Sequence, residues 1–193
     1  MDDQPGQVIV LNGTPRSGKS SIAAEIQASF DGVWVNLGVD NSIAATPTQF
    51  RPGIGLRPGG ERPDLEPVVA SLHRALYGSV VAYSNEGINV VVDVGHHESY
   101  STPLHTLNEA ARLLSGTRAW LIGVRCPIDM IMGRREATGM VAPREMVERW
   151  EREVHLPGIY DAEVDTSLMT PKECAGVIRS RMKREPTAFK DLG

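Results

Sequence analysis

The stretch that decides the fold is "VIVLNGTPRSGKSS", Val8–Ser21. An apolar run leads into a glycine-punctuated loop, and a lysine followed by two serines opens what reads as a helix. Within it, "GTPRSGKS" satisfies the G-x-x-x-x-G-K-[ST] pattern of a phosphate-binding loop. Glycines let the backbone curl so that its N–H groups converge on phosphate oxygens, and the following helix turns its positive dipole end toward the same anion. On this reading Gly13, Thr14, Pro15, Arg16, Ser17, Gly18, Lys19, Ser20 and Ser21 hold the phosphates of a nucleotide. Lys19 places a point charge on the outer phosphates, and Ser20 offers its hydroxyl to Mg²⁺. The strand before the loop and the helix after it separate this reading from a glycine-rich turn that matches by accident.

Outward from the loop, Val- and Ile-rich segments alternate with helical stretches, the pattern of a parallel sheet covered on both faces. The expected strands are Gln7–Asn12, Val33–Gly38, Asn89–Asp93, Arg118–Val124 and Ala162–Asp165. The expected helices are Lys19–Ser29, Glu66–Asn85, Pro103–Ser115, Pro127–Thr138, Arg144–His155 and Pro171–Lys183. Two segments interrupt the alternation. The Pro- and Gly-dense run across 46–67 cannot be regular helix or central strand, and reads as an excursion on the acceptor side. "GRREATGMVAPRE", residues 133–145, breaks between two helices and reads as a short lid over about 134–145.

The chain of 193 residues has room for one core, so residues 1–185 read as one domain and 186–193 as a loosely held tail. A net charge of -4 gives no general pull toward nucleic acid or anionic membrane. The basic run "RSRMKR" near the end suits a helix C-terminus and lacks the aromatic interleaving of a single-strand binder. The N-terminus has no basic signal-like start and no apolar run reaches spanning length, which points to the cytoplasm. Cys126 and Cys174 read as reduced, buried thiols. A homodimer through a helical face is compatible with such a sheet.

A phosphate loop alone leaves the reaction open. "NLGVD" ends the second strand at Asp40, on the sheet edge where ligands bind. There a carboxylate can orient an acceptor hydroxyl and take its proton, or it can cap the helix that follows. "VVVD" ends the third strand at Asp93, the position of the acidic residue that organises Mg²⁺ beside Ser20. His96 and His97 follow on an extended segment, point to opposite faces, and so make no chelating pair; one of them is expected to line the acceptor pocket with Asp93. In the lid, Arg134 and Arg135 are placed to stabilise charge on the transferred phosphoryl group, or to form ion pairs on a solvated helix face. Arg134 is assigned the catalytic part and Arg135 nucleotide binding.

Together the ordered motifs "VLNGTPRSGKS", "GVD", "VVVD", "GVRC" and "YDAEVDTS" resemble the chloramphenicol phosphotransferase-like kinases, over roughly residues 8–178. The resemblance implies a three-layer P-loop fold related to shikimate and nucleoside monophosphate kinases, with a five-stranded parallel sheet between helices. It also implies ATP-dependent phosphorylation of a hydroxyl on a small molecule, typically an antibiotic, with Asp40 as general base. The nucleotide base is expected near the loop after the last strand, around Asp165 and Thr166. The chain departs from the pattern at "VGHHE" and carries Arg51, Arg57 and Arg62 in the acceptor-side loop. These arginines either favour a polar or anionic acceptor or are solvated loop charges. A shikimate- or nucleoside-type metabolite kinase and a nucleotide-dependent switch are the competing readings, and the N-K-x-D element of a guanine-specific switch is absent.

Overall fold

The five residues of β1 (Val8–Asn12) are all buried, and their alternation decides which layer each serves. Successive strand side chains point to opposite faces. Val8 and Val10 accordingly join a cluster with Val90, Val92 and Leu121, while Ile9 and Leu11 join another with Val91, Trp120 and Ile122. A strand apolar on both faces must be covered on both. The computed structural model, which describes residues 4–51, 62–139 and 142–193, shows the two covering layers. On one side lie α3 (Glu66–Asn85) and α4 (Thr106–Leu113). On the other lie α1 (Lys19–Ser29) and α7 (Pro171–Arg181).

The remaining strands are β2 (Trp34–Asn36), β3 (Asn89–Val94), β4 (Ala119–Arg125) and β5 (Ala162–Asp165), and all pairings are parallel in the order β2-β3-β1-β4-β5. The central β1 has β3 on one side and β4 on the other, so the connections leave it in opposite directions. A crevice opens beyond its carboxyl end, where sheets of this kind bind ligands. The register sets Leu11 opposite Asp93 and Asn12 opposite Gly123. The first loop and the third-strand aspartate therefore meet at one edge. No described helix is long and apolar enough to cross a membrane.

Three differences from the sequence expectation have local causes. The second strand is shorter than Val33–Gly38, because the chain turns at Gly38 into a helix, α2 (Val39–Ala45). The fourth helix starts at Thr106 and not Pro103, because His105 before it takes a left-handed conformation with φ 49°. The end of the chain is docked and not loosely held: α8 (Ala188–Leu192) buries Phe189 and Leu192 in the first cluster. The acceptor-side run 46–67 contributes short 3-10 turns at Thr48–Phe50 and Pro63–Leu65, and its residues 52–61 lie outside the described residues. So do Met140 and Val141 of the expected lid, which separates α5 (Ile128–Glu136) from α6 (Arg144–Val154).

The docked end depends on Asp161, whose side chain is fully buried. One carboxylate oxygen accepts from Arg181 Nη2 at 2.6 Å and from the Thr187 amide at 2.8 Å, and the other accepts from the Leu121 amide at 2.9 Å. One side chain thus ties β4, α7 and α8 together. Asp161→Ala removes the carboxylate from Arg181, which keeps only its bonds to the carbonyls of residues 161, 184 and 185, and leaves these amides without that acceptor, so it should lower unfolding stability by about 3–5 kcal/mol in urea denaturation. A midpoint within error of the wild type would show that the cluster contributes nothing net.

Candidate active site

The loop after β1 closes on itself. Gly18 caps α1 at φ 103°, a left-handed value that a side chain resists, and a Cβ there would press on Thr166 Cγ2 at 3.0 Å. Gly13 is equally constrained, since its Cβ would fall 2.5 Å from the Val124 carbonyl oxygen. Lys19 Nζ donates to the carbonyls of Gly13 (2.7 Å) and Thr14 (3.0 Å), which draws the loop into a ring at the helix N-terminus. The Ser17 hydroxyl is buried inside that ring without a hydrogen-bond partner. Pro15, Arg16, Ser20 and Ser21 face an adjoining cavity of about 690 Å³. Thr14 turns the other way, its hydroxyl donating to the Glu151 carboxylate on α6.

Beside the loop stands Asp93, at 5% exposure. Its Oδ2 accepts from Ser20 Oγ at 2.7 Å. Its Oδ1 lies so close to Gly38 that a Cβ there would sit 2.3 Å away. The glycine of "GVD" is therefore the space in which the third-strand carboxylate rests. Two residues on, Asp40 sits in the first turn of α2, exposed and lining the same cavity. The cap of α2 is Gly38, with no side-chain cap bond, so the capping role considered for Asp40 is not the one it takes.

The half of the cavity away from the phosphate loop is apolar and aromatic. Val39 and Ile43 of α2 face Val69, Leu72 and Leu76 of α3, and His73, His97, Tyr100 and Trp150 complete the wall. The rings of His97 and Tyr100 stack with centroids 4.5 Å apart, and Trp150 meets His97 edge-on at 6.4 Å. His96, expected as a possible lining residue, is not one. Its amide donates to Asn12 Oδ1 at 2.9 Å, and its ring nitrogens bond Tyr77 Oη (2.6 Å) and Thr106 Oγ1 (2.9 Å) inside the core. Burial, and then the neighbouring His73 and His97, hold its pKa well below the ordinary histidine value. The alternation of extended residues sends His97 outward because His96 goes inward.

The two lid arginines enter different surroundings. Arg134 Nη1 donates to Thr166 Oγ1 (3.0 Å) and to the Arg16 carbonyl (3.1 Å), and its Nη2 donates to the Thr166 carbonyl (3.1 Å). It fastens α5 to the phosphate loop and to the turn after β5. Arg135 is 1% exposed, yet none of its guanidinium nitrogens has a hydrogen-bond partner. Burial, and secondarily the charge of Arg16, lowers its pKa. Arg144 pairs with Asp129 and Glu148 at 2.7 Å each.

Thr166 lines the cavity and donates to the Ser17 carbonyl at 2.6 Å, whereas Asp165 only shapes the turn, accepting from the Ser167 amide and hydroxyl. Of the acceptor-side arginines, Arg51 is bound to the carbonyls of Ala44 and Thr46 and Arg62 pairs with Asp64. Neither faces the cavity, and Arg57 lies outside the described residues. Sequence reasoning missed His73, Tyr100, Trp150 and Glu151. The first, third and fourth sit on helices that were expected, but helical periodicity does not say which neighbour a face meets.

Residues 6–183 match the family model described as chloramphenicol phosphotransferase-like protein. A curated Mycobacterium tuberculosis protein named "Putative O-phosphotransferase Rv2636" is 27% identical over 203 residues, covering 97% of this chain and 88% of its own length. Among solved structures, the M. tuberculosis APS kinase CysC in complex with AMPPNP and APS superposes with a TM-score of 0.67 at 13% identity, over 94% of this chain and 99% of that one. The Deinococcus radiodurans tunicamycin resistance protein gives 0.61 at 16% identity over 91% and 95%, and Acinetobacter baumannii shikimate kinase with shikimate gives 0.57 at 12% over 92% of each. These structures share the fold. Since the family match runs from β1 to the end of α7, the chain belongs to the chloramphenicol phosphotransferase-like family and is an ATP-dependent O-phosphotransferase.

Proposed function

We propose that this enzyme phosphorylates a hydroxyl group of a small molecule of the antibiotic class, with Asp40 as general base. The observation that carries this reading is that the exposed Asp40 and the phosphate loop line one cavity. The loop amides and Lys19 hold the nucleotide phosphates, and Arg134 with Thr166 forms the wall behind them. Ser20 and Asp93 are hard oxygen donors held together at 2.7 Å, a pair that suits Mg²⁺ brought in with nucleotide better than a full protein cage. Such an ion would neutralise charge on the phosphate oxygens.

In the transfer, the acceptor oxygen forms a bond to the γ-phosphorus as the bond from that phosphorus to the bridging oxygen breaks. The hydroxyl proton passes to Asp40, and ADP leaves. We assign charge on the moving phosphoryl group to Arg135, the buried guanidinium next to Arg134 whose donors have no protein partner and which would turn from the core into the cavity to reach it. The antibiotic class rests on the family whose model matches, and the apolar, aromatic acceptor half is compatible with it.

Asp40→Asn should leave AMPPNP affinity unchanged and lower turnover about a hundredfold or more, because proton acceptance is worth that much. The check is mass-spectrometric detection of a phosphoryl adduct across a panel of hydroxylated antibiotics, followed by kinetics on the accepted one. Full turnover of the variant would remove Asp40 from the mechanism. Arg135→Met should raise the melting temperature of the nucleotide-free protein, since it removes an unpaired buried charge, while cutting transfer by about a thousandfold. A lower melting temperature without nucleotide would make Arg135 a structural residue.

A further inference from the structure

The cations that face the cavity are unevenly spread. Arg16, Lys19 and Arg134 all stand at the phosphate loop or behind it. Among the described residues, the cavity lining away from the phosphate loop and Asp93 carries one formal charge, the carboxylate of Asp40, beside the apolar Val69, Leu72 and Leu76 of α3. In the middle of that α3 wall stands His73, half-buried, with its ring 5.1 Å from the His96 ring. Both ring nitrogens of His96 are committed to Tyr77 and Thr106, so it offers His73 no hydrogen bond. The Nδ1 of His73 is shielded and has no hydrogen-bond partner. Burial pushes the His73 pKa down to about 4, which keeps the ring uncharged at neutral pH.

We infer that His73 is a specificity-determining residue that selects an uncharged, ring-bearing acceptor carrying a neutral polar group remote from the reacting hydroxyl. The inference rests on the kinase reading above and deepens it. An anionic acceptor entering this half would lose its water opposite a carboxylate and an apolar wall, with no described cation to replace it. A neutral amide or second hydroxyl would instead satisfy an imidazole nitrogen that the fold leaves unpaired, once the ring turns about its Cβ–Cγ bond to present it. The stacked His97–Tyr100 pair and the Trp150 edge favour a flat ring between the two polar ends.

Two isosteric probes separate charge from shape: 4-(hydroxymethyl)benzamide and 4-(hydroxymethyl)benzoate, each given to the full-length protein with saturating ATP and Mg²⁺. Phosphorylated product is quantified by mass spectrometry. The benzamide should be turned over with a kcat/KM at least about tenfold above the benzoate, the range in which an unpaired polar group discriminates. It should also exceed 4-methylbenzyl alcohol, which lacks the remote polar group. His73→Leu should erase that second advantage through KM with kcat and AMPPNP affinity held, and His73→Asn should restore part of it. Equal or better use of the benzoate overturns the inference, as does absence of both turnover and saturation-transfer signal for the benzamide while AMPPNP still binds. Loss of AMPPNP binding in the wild type would instead sink the kinase reading itself.

Discussion

The contact on which the site depends is the burial of one carboxylate, Asp93, between the Ser20 hydroxyl and the bare Cα of Gly38. A buried carboxylate is costly unless its oxygens are used. Here one is taken by the phosphate loop and the other lies against the turn that starts α2. Three segments that are remote in sequence are thereby fixed at one point. The parallel register of β3 on β1 delivers Asp93 to that point, and the turn at Gly38 delivers Asp40 two residues later. Asp40 and the phosphate loop are in register because the sheet is.

A second polar chain links the phosphate loop to the acceptor wall through the core. Thr14 bonds Glu151, and Glu151 lies 3.2 Å from His155 Nε2, close enough for an ion pair but outside hydrogen-bond geometry. His155 Nδ1 meets Tyr160 Oη at 2.7 Å, Tyr160 Oη accepts from Asn12 Nδ2 at 3.0 Å, and Asn12 Oδ1 accepts from the His96 amide. The Tyr160 ring can reach this position because Gly123 has no side chain: a Cβ there would press on the ring at 2.9 Å. This gives a physical reason for the glycine of "GVRC" and the tyrosine of "YDAEVD". Trp150 stands on the same helix as Glu151, so the position of α6 sets both the loop and one face of the acceptor half.

The fold could be read in the sequence because its signal is local. Strands buried on both faces leave unbroken Val and Ile runs, and the glycines and lysine of the phosphate loop are fixed by the shape of an anion. The acidic residues at strand ends were legible for the same reason, since topology puts strand ends at the site. What was not legible depends on which faces meet. The split between His96 and His97 could be anticipated, but not which one turns inward, because that is decided by Asn12, Tyr77 and Thr106 across the core. Asp161 gave no signal as the residue that docks the chain end, since its partners come from three separate elements.

The adjacent arginines of α5 show the same limit in its sharpest form, because their side chains leave the helix about 100° apart and enter different surroundings. Arg134 reaches carbonyls and a hydroxyl on two loops and is satisfied within the protein. Arg135 goes inward, where burial disfavours its charge and Arg16 opposes it. A protein selected for stability alone would carry a hydrophobic side chain at that position. An unsatisfied buried guanidinium therefore argues for an anion absent from the free protein, and strain of this kind is tolerated where function supplies the missing partner. The neighbouring loop is shaped to hold such an anion, and this is the ground on which Arg135 is proposed to meet the transferred phosphoryl group while Arg134 positions the loop.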